Sequence, residues 1–136
     1  MSGTLQSIKY ADGKLEILDQ LLLPSKSEYV CISGVEDGWQ AIHSMQVRGA
    51  PAIAMVGCLS LAVELSSEQL HDKKVLRQEI EGKLNYLVSA RPTAVNMKIA
   101  AEELITLANQ LSKNEDVTPE LMKEQYELSF LHPFTR

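Results

Sequence analysis

The sequence predicts an α+β fold: a small three-stranded antiparallel sheet followed by a bundle of about five α-helices. Three observations lead there. The opening residues alternate in polarity around an Asp-Gly turn. From Ser33 onward apolar residues recur at helical spacing instead. Prolines at Pro51 and Pro119 then mark helix starts, where their fixed φ and missing N–H do no harm. The chain has 136 residues, 45% of them apolar, enough for one domain with a real core.

The first strand covers Ser7 to Tyr10 and reaches the Ala11-Asp12-Gly13 turn. A second strand covers Lys14 to Leu21, with Leu15, Ile17 and Leu21 on one face; Leu18 and Leu22 break its alternation. Pro24 to Ser27 is a turn, and Glu28 to Ile32 is a third strand. So small a sheet must lie on helices to be stable. Ser33 and Glu36 fit a capping box. Val35, Trp39, Ile42 and Met45 form the face of a first helix that ends near Gln46. His43 lies on that helix with no ligand partner in the sequence.

A second helix begins at Pro51 and is apolar nearly all round, so it is buried on most sides, with Gly57 and the alanines admitting close neighbours. Ser66, Ser67, His71 and Asp72 form a loop or helix start. The third helix turns Val75, Leu76, Ile80, Leu84, Leu87 and Val88 inward, with Lys73, Lys74, Arg77, Glu79 and Glu81 as a solvated face. Thr93 caps a fourth helix whose inner face is Val95, Ile99, Ala100, Leu104, Leu107 and Leu111. Thr118-Pro119-Glu120 starts a fifth helix through Leu121 and Tyr126. The stretch Leu128 to Arg136 is apolar, loses the helical period and carries Pro133.

Composition excludes some functions. A net charge of −5 argues against a general nucleic-acid binder, which needs a basic face. The longest uncharged run, Gly49 to Val63, is 15 residues and falls short of the ~20 that span a bilayer, so no membrane role is expected. Cys31 and Cys58 have no metal or disulfide-framework spacing, and no signal pattern opens the chain. These features fit a cytosolic protein with reduced thiols.

Two stretches carry chemistry. In Val47-Arg48-Gly49-Ala50-Pro51-Ala52-Ile53, a cation and a glycine precede a helix start. The amides of Gly49, Ala50, Ala52 and Ile53 are candidates to point out of that start, toward an anion such as phosphate. Gly49 allows close backbone approach, and the Arg48 guanidinium can grip two oxygens. In Ala90-Arg91-Pro92-Thr93-Ala94-Val95-Asn96 the design recurs, with Arg91 held in a turn by the proline that follows. Brought together, the two arginines would converge on one anion pocket. The spacing alone also allows an ordinary helix start at Pro51 and an Arg91 that caps the preceding helix.

These two motifs, with Ile17-Leu18-Asp19-Gln20-Leu21-Leu22-Leu23-Pro24 ahead of them, resemble the family of methylthioribose-1-phosphate isomerases, the regulatory subunits of translation initiation factor 2B and ribose-1,5-bisphosphate isomerase. The likeness runs from Ser7 to Tyr126. It implies aldose–ketose isomerisation of 5-methylthioribose 1-phosphate to 5-methylthioribulose 1-phosphate in methionine salvage, with no metal or redox cofactor. Arg48, Gly49, Ala50 and Arg91 match the family's substrate-binding positions. The family's catalytic cysteine, in a Cys-Asn-Thr-Gly motif, and its catalytic aspartate belong to a C-terminal Rossmann-like domain. Neither is in this chain, and Cys31 and Cys58 lack that motif, so no catalytic residue is assigned.

The resemblance divides the chain into an N-terminal domain, 1–127, and a divergent tail, 128–136. It implies homodimers for full-length members and a cytoplasmic location, with the nucleus left open. The rival readings are a non-catalytic regulatory subunit of the initiation factor type and a truncated product without activity.

Overall fold

Ala11 pairs with Lys14, so the first two strands meet as a tight hairpin with Gly13 at φ 74. Asp12, the other residue of the expected turn, lies outside the described residues. The computed structural model describes residues 7–11, 13–68 and 72–135, with side chains through Leu128. Strands β1 (Ile8–Ala11), β2 (Lys14–Leu18) and β3 (Tyr29–Ile32) form an antiparallel sheet in that order. Leu15 and Ile17 are fully buried beneath it, opposite Ile32 and Val30, while Lys14 and Glu16 face out. β2 stops at Leu18 rather than Leu21. Leu18 is buried beside Ile17, and Asp19 then caps a 3-10 turn, Gln20–Leu22, by accepting the Leu21 N–H at 2.9 Å. A side-chain cap that starts a turn thus outcompetes the strand ladder.

Helix α1 (Val35–His43) does not use the expected capping box. Gly34 is the cap residue. The Ser33 amide is met by the Asp37 carboxylate, and the Val35 amide by Glu64 from the next helix, at 2.9 and 2.8 Å. Nor does α1 reach Gln46. Met45 adopts φ 69, its N–H bonds Ile42 O, and the Gln46 N–H bonds Ala41 O. This is the Schellman arrangement, with methionine in the left-handed position that glycine usually fills. No residue type announced that stop, so Met45 looked like part of the buried face; it is exposed.

Helix α2 (Ala50–Ser67) is the axis of the fold and packs against α1, α3, α4, α5 and the sheet. By length and composition alone it could cross a membrane, but 61% of it is buried inside the protein, as a core helix should be. Close neighbours explain Gly57: a Cβ there would lie 2.5 Å from Met97 Sδ. Helix α3 (Lys73–Val88) is capped by Asp72, whose carboxylate accepts the Val75 N–H at 2.9 Å. His71 lies outside the described residues. Leu76, Ile80, Leu84 and Leu87 are buried, whereas Val75 is exposed.

Helix α4 (Val95–Lys113) buries Leu104 and packs Ala100, Leu107 and Leu111 of the expected face against the core, but the centre of its inner face is shifted. Met97, Ala101, Leu104 and Ala108 are buried; Val95 and Ile99 are exposed. The small alanines let α4 approach α2 and α3 closely, and close approach decided the face over side-chain size. Thr93 does not cap α4; Ala94 takes that position without a side-chain bond.

Thr118 does cap α5 (Pro119–Thr135), by accepting the Leu121 N–H at 3.1 Å. The backbone stays helical past Leu128, where loss of period had suggested a stub. No stop signal precedes Pro133, so a well-capped helix propagates. The side chains beyond Leu128, including the apolar Phe130 to Phe134, lie outside the described residues. Lys123 donates to Leu65 O at 2.7 Å and so satisfies the end of α2.

Candidate functional site

The first arginine motif is presented by a tightly fastened turn. Gln46 donates its N–H to Ala41 O and accepts from the Gln20 N–H, each at 3.0 Å. Its side-chain Nε2 donates to Asp19 Oδ2, also at 3.0 Å. Val47 is buried behind it. Arg48 then stands exposed, and Gly49 takes φ 92 and ψ 133 as the cap of α2. That positive φ, rather than crowding, requires glycine, since a Cβ there would meet nothing within 4 Å.

The helix begins one residue earlier than expected, at Ala50, with Pro51 in its first turn. No side chain caps it. Ile53 must be removed from the candidate amides, because its N–H is spent on Gly49 O at 2.9 Å. The amides of Gly49, Ala50 and Ala52 stand at the helix start, where backbone donors have no intrahelical partner. Beside them a cavity of about 150 Å³ is lined by Ser7, Ile8, Leu18, Gln20, Val47, Arg48 and Ala52. Cation, open amides and a small cleft together suit an oxyanion.

Arg91 lies in the turn between α3 and α4, and it does not line the Arg48 cavity. The two arginine turns are nevertheless fastened to one end of α1. His43 Nδ1 lies 3.3 Å from Ala90 O, and Trp39 Nε1 donates to Ser89 Oγ at 3.0 Å. His43 stacks on Trp39 at 4.7 Å, and Tyr86 stacks on Trp39 at 5.5 Å, which stiffens this support. Arg91 Nη1 is shielded from solvent and meets no hydrogen-bond partner among the described residues. A buried guanidinium nitrogen with unmet donor capacity suits an acceptor-rich ligand.

One charged cluster escaped sequence reasoning. The Lys83 ammonium contacts Glu64, and lies 2.7 Å from Glu79 and 3.2 Å from Glu68. The carboxylates of Glu64, Glu68 and Glu79 lie within 4.8 Å of one another. Lys83 supplies the positive charge among them, and Glu64 also holds the Val35 amide of α1. The i, i+4 pair Glu79–Lys83 was the signal available; the convergence of α2 on it was not. Glu64 and Glu79 are therefore partnered structural groups rather than solvated charges.

A family model described as the initiation factor 2 subunit family matches residues 46–129. A methylthioribose-1-phosphate isomerase of Drosophila persimilis is 67% identical over 123 residues, which is 90% of this chain and 34% of that protein. Among solved structures, 5-methylthioribose 1-phosphate isomerase from Pyrococcus horikoshii superposes with a TM-score of 0.84 at 26% identity, over 96% of this chain and 37% of that one. The delta subunit of translation initiation factor eIF-2B from A. fulgidus superposes with a TM-score of 0.79 at 32% identity, over 95% and 36%. The chain thus spans about a third of the length of each relative.

Proposed function

This chain belongs to the initiation factor 2 subunit family, and from that premise we propose that it is the N-terminal, phosphate-gripping part of a methylthioribose-1-phosphate isomerase. One observation carries the choice within the family: the 67% identity to the Drosophila persimilis isomerase across nine-tenths of the chain. The fold alone does not choose, because an isomerase and an initiation factor subunit both superpose closely. On this reading the substrate is 5-methylthioribose 1-phosphate, and the isomerisation belongs to methionine salvage.

Arg48 and the amides of Gly49, Ala50 and Ala52 hold the phosphate, and Arg91, which lies outside that cavity, offers its guanidinium to another part of the substrate. Their work is to fix the sugar in one orientation, which removes much of the entropic part of the barrier. The Nη1 of Arg91, shielded and without a partner among the described residues, supports this role. The test is calorimetric titration of the chain with 5-methylthioribose 1-phosphate, alongside the variants Arg48→Ala, Arg91→Ala and Arg91→Lys. Each alanine variant is expected to bind about tenfold or more weakly, and Arg91→Lys to recover only part, because an ammonium lacks the planar fork. Equal binding by all four proteins would refute the site.

A further inference from the structure

We propose that Asp19 is a positioning residue for the Arg48–Gly49 turn, holding it in the anion-binding shape before the ligand arrives. The inference rests on the anion-site reading above and assigns a task to the Ile17–Pro24 stretch. Asp19 is 7% exposed, one of few buried polar side chains in the described residues. Both of its oxygens are occupied by N–H donors: Oδ1 accepts from the Leu21 amide at 2.9 Å, and Oδ2 from Gln46 Nε2 at 3.0 Å. Two occupied acceptor oxygens suit a carboxylate, which accepts at both, whereas an asparagine accepts at one and would require the Gln46 amide to turn over. The Gln20 amide adds its bond to Gln46 O at 3.0 Å.

The far side of the same turn is closed by Met45 in the left-handed region, a conformation that is unfavourable for a residue with a side chain. A turn in such a conformation needs external bonds to persist. Those bonds converge on Gln46, two residues before Arg48. Asp19 itself does not face the ligand. It acts through Gln46, so that ordering the turn is not charged against binding.

The pair offers a test that mere structural damage would not mimic. Asp19→Ala removes both acceptors, and Gln46→Glu sets two carboxylates face to face. The double variant Asp19→Asn/Gln46→Glu reverses the polarity and restores one N–H···O bond, while the remaining side-chain oxygen at position 19 still accepts from the Leu21 amide. The full chain, ¹⁵N-labelled, is titrated with inorganic phosphate while the amide shifts of Gly49, Ala50 and Ala52 are followed. Amide exchange of Gln46 to Gly49 is compared with that of the α2 core.

Each single variant is expected to bind phosphate at least about tenfold more weakly and to exchange faster in the turn, with α2 protection retained. The double variant is expected to regain most of both. If wild type shows no saturable shift at these amides, the anion site falls and this inference falls with it. If wild type binds and Asp19→Ala binds equally well, the anion site stands and the positioning role is refuted. A double variant no better than the singles also refutes it.

Discussion

The hydroxyl of Tyr126 donates to the main-chain carbonyl of Cys58 at 3.1 Å, with both groups buried, and so ties α5 to the middle of the central helix. Burial pushes the Tyr126 phenol well above its ordinary range, and the nearby Cys58 and Tyr10 add to the effect, so it stays protonated and remains a donor. Tyr126→Phe keeps the ring and removes that bond. The expected cost is about 1 kcal/mol, read as a lower urea midpoint with an unchanged slope. An unchanged midpoint would mean that the bond contributes nothing net.

Two glycines should respond to alanine with opposite signs. A Cβ on Gly38 would lie 2.1 Å from Ser60 Oγ and 2.6 Å from Ser60 Cβ, where α1 crosses α2. Gly38→Ala is expected to destabilise by about 1–3 kcal/mol, since a packed core absorbs little extra volume. Gly82 lies on the exposed side of α3, and a Cβ there would meet nothing within 4 Å. Gly82→Ala should stabilise by about 0.5–1 kcal/mol through helix propensity. Thermal melts of the pair check both signs: a Gly38→Ala variant as stable as wild type would overturn the packing account, and a destabilised Gly82→Ala would overturn the propensity account.

Much of this architecture was legible in the sequence, and the exceptions share a cause. The strands, the buried α2, the Thr118 cap and the glycine before α2 rest on local chemistry, which a sequence displays. The α1 terminus was missed because Met45 occupies a glycine-type conformation, next to a Gln46 that is bonded to Asp19 and Gln20 from far along the chain. The cap of α1 was missed because Glu64 supplies it from another helix. The inward face of α4 was right at Ala100, Leu104, Leu107 and Leu111 but wrong at Val95 and Ile99, because alanines matter there for proximity rather than area. At the candidate site, Arg48, Gly49, Ala50 and Arg91 were proposed from proline-marked helix starts and from the family resemblance. Asp19 was not, because its partner lies 27 residues away.

The Lys83 cluster should give the fold a particular pH dependence. Burial raises the carboxyl of Glu68 above its ordinary value of 4.5, the neighbouring Glu79 raises it further, and Lys83 opposes them. A carboxyl raised in the folded state binds its proton more tightly there than in the unfolded chain. Its stabilising contribution is therefore fully present below pH 4.5 and is lost as pH rises through the higher folded value. Glu68→Gln imitates the protonated group and can donate to Glu79. The variant is expected to melt above wild type at pH 7, with the gain shrinking to nothing below pH 4.5. Thermal melts across that range check it; a variant less stable than wild type at pH 7 would show that the Lys83 contact dominates.

The 136-residue chain by itself is expected to bind a sugar phosphate without converting it. Aldose–ketose isomerisation moves a proton or a hydride between neighbouring carbons, which requires an acid–base group poised at those carbons. The acids nearest the helix starts are committed elsewhere. Glu36 accepts from Gln40 and Tyr86, Asp37 from the Ser33 amide, Glu64 from Val35 and Lys83, and Asp19 from Leu21 and Gln46. Burial pushes the Cys58 thiol far above its ordinary range, so it offers no thiolate at neutral pH. Cys31 is exposed on the sheet, on the face away from the buried Leu15 and Ile17. A grip on phosphate by itself would orient a sugar but move no proton. The check is to assay the purified chain with 5-methylthioribose 1-phosphate beside the full-length Drosophila persimilis isomerase, confirming in the same preparation that the ligand binds. Saturable binding with no ketose formed is the expected result. Turnover near that of the full-length enzyme would mean that an acid–base group lies within these 136 residues, and would return attention to Asp19 and His43, the titratable groups tied to the two arginine turns.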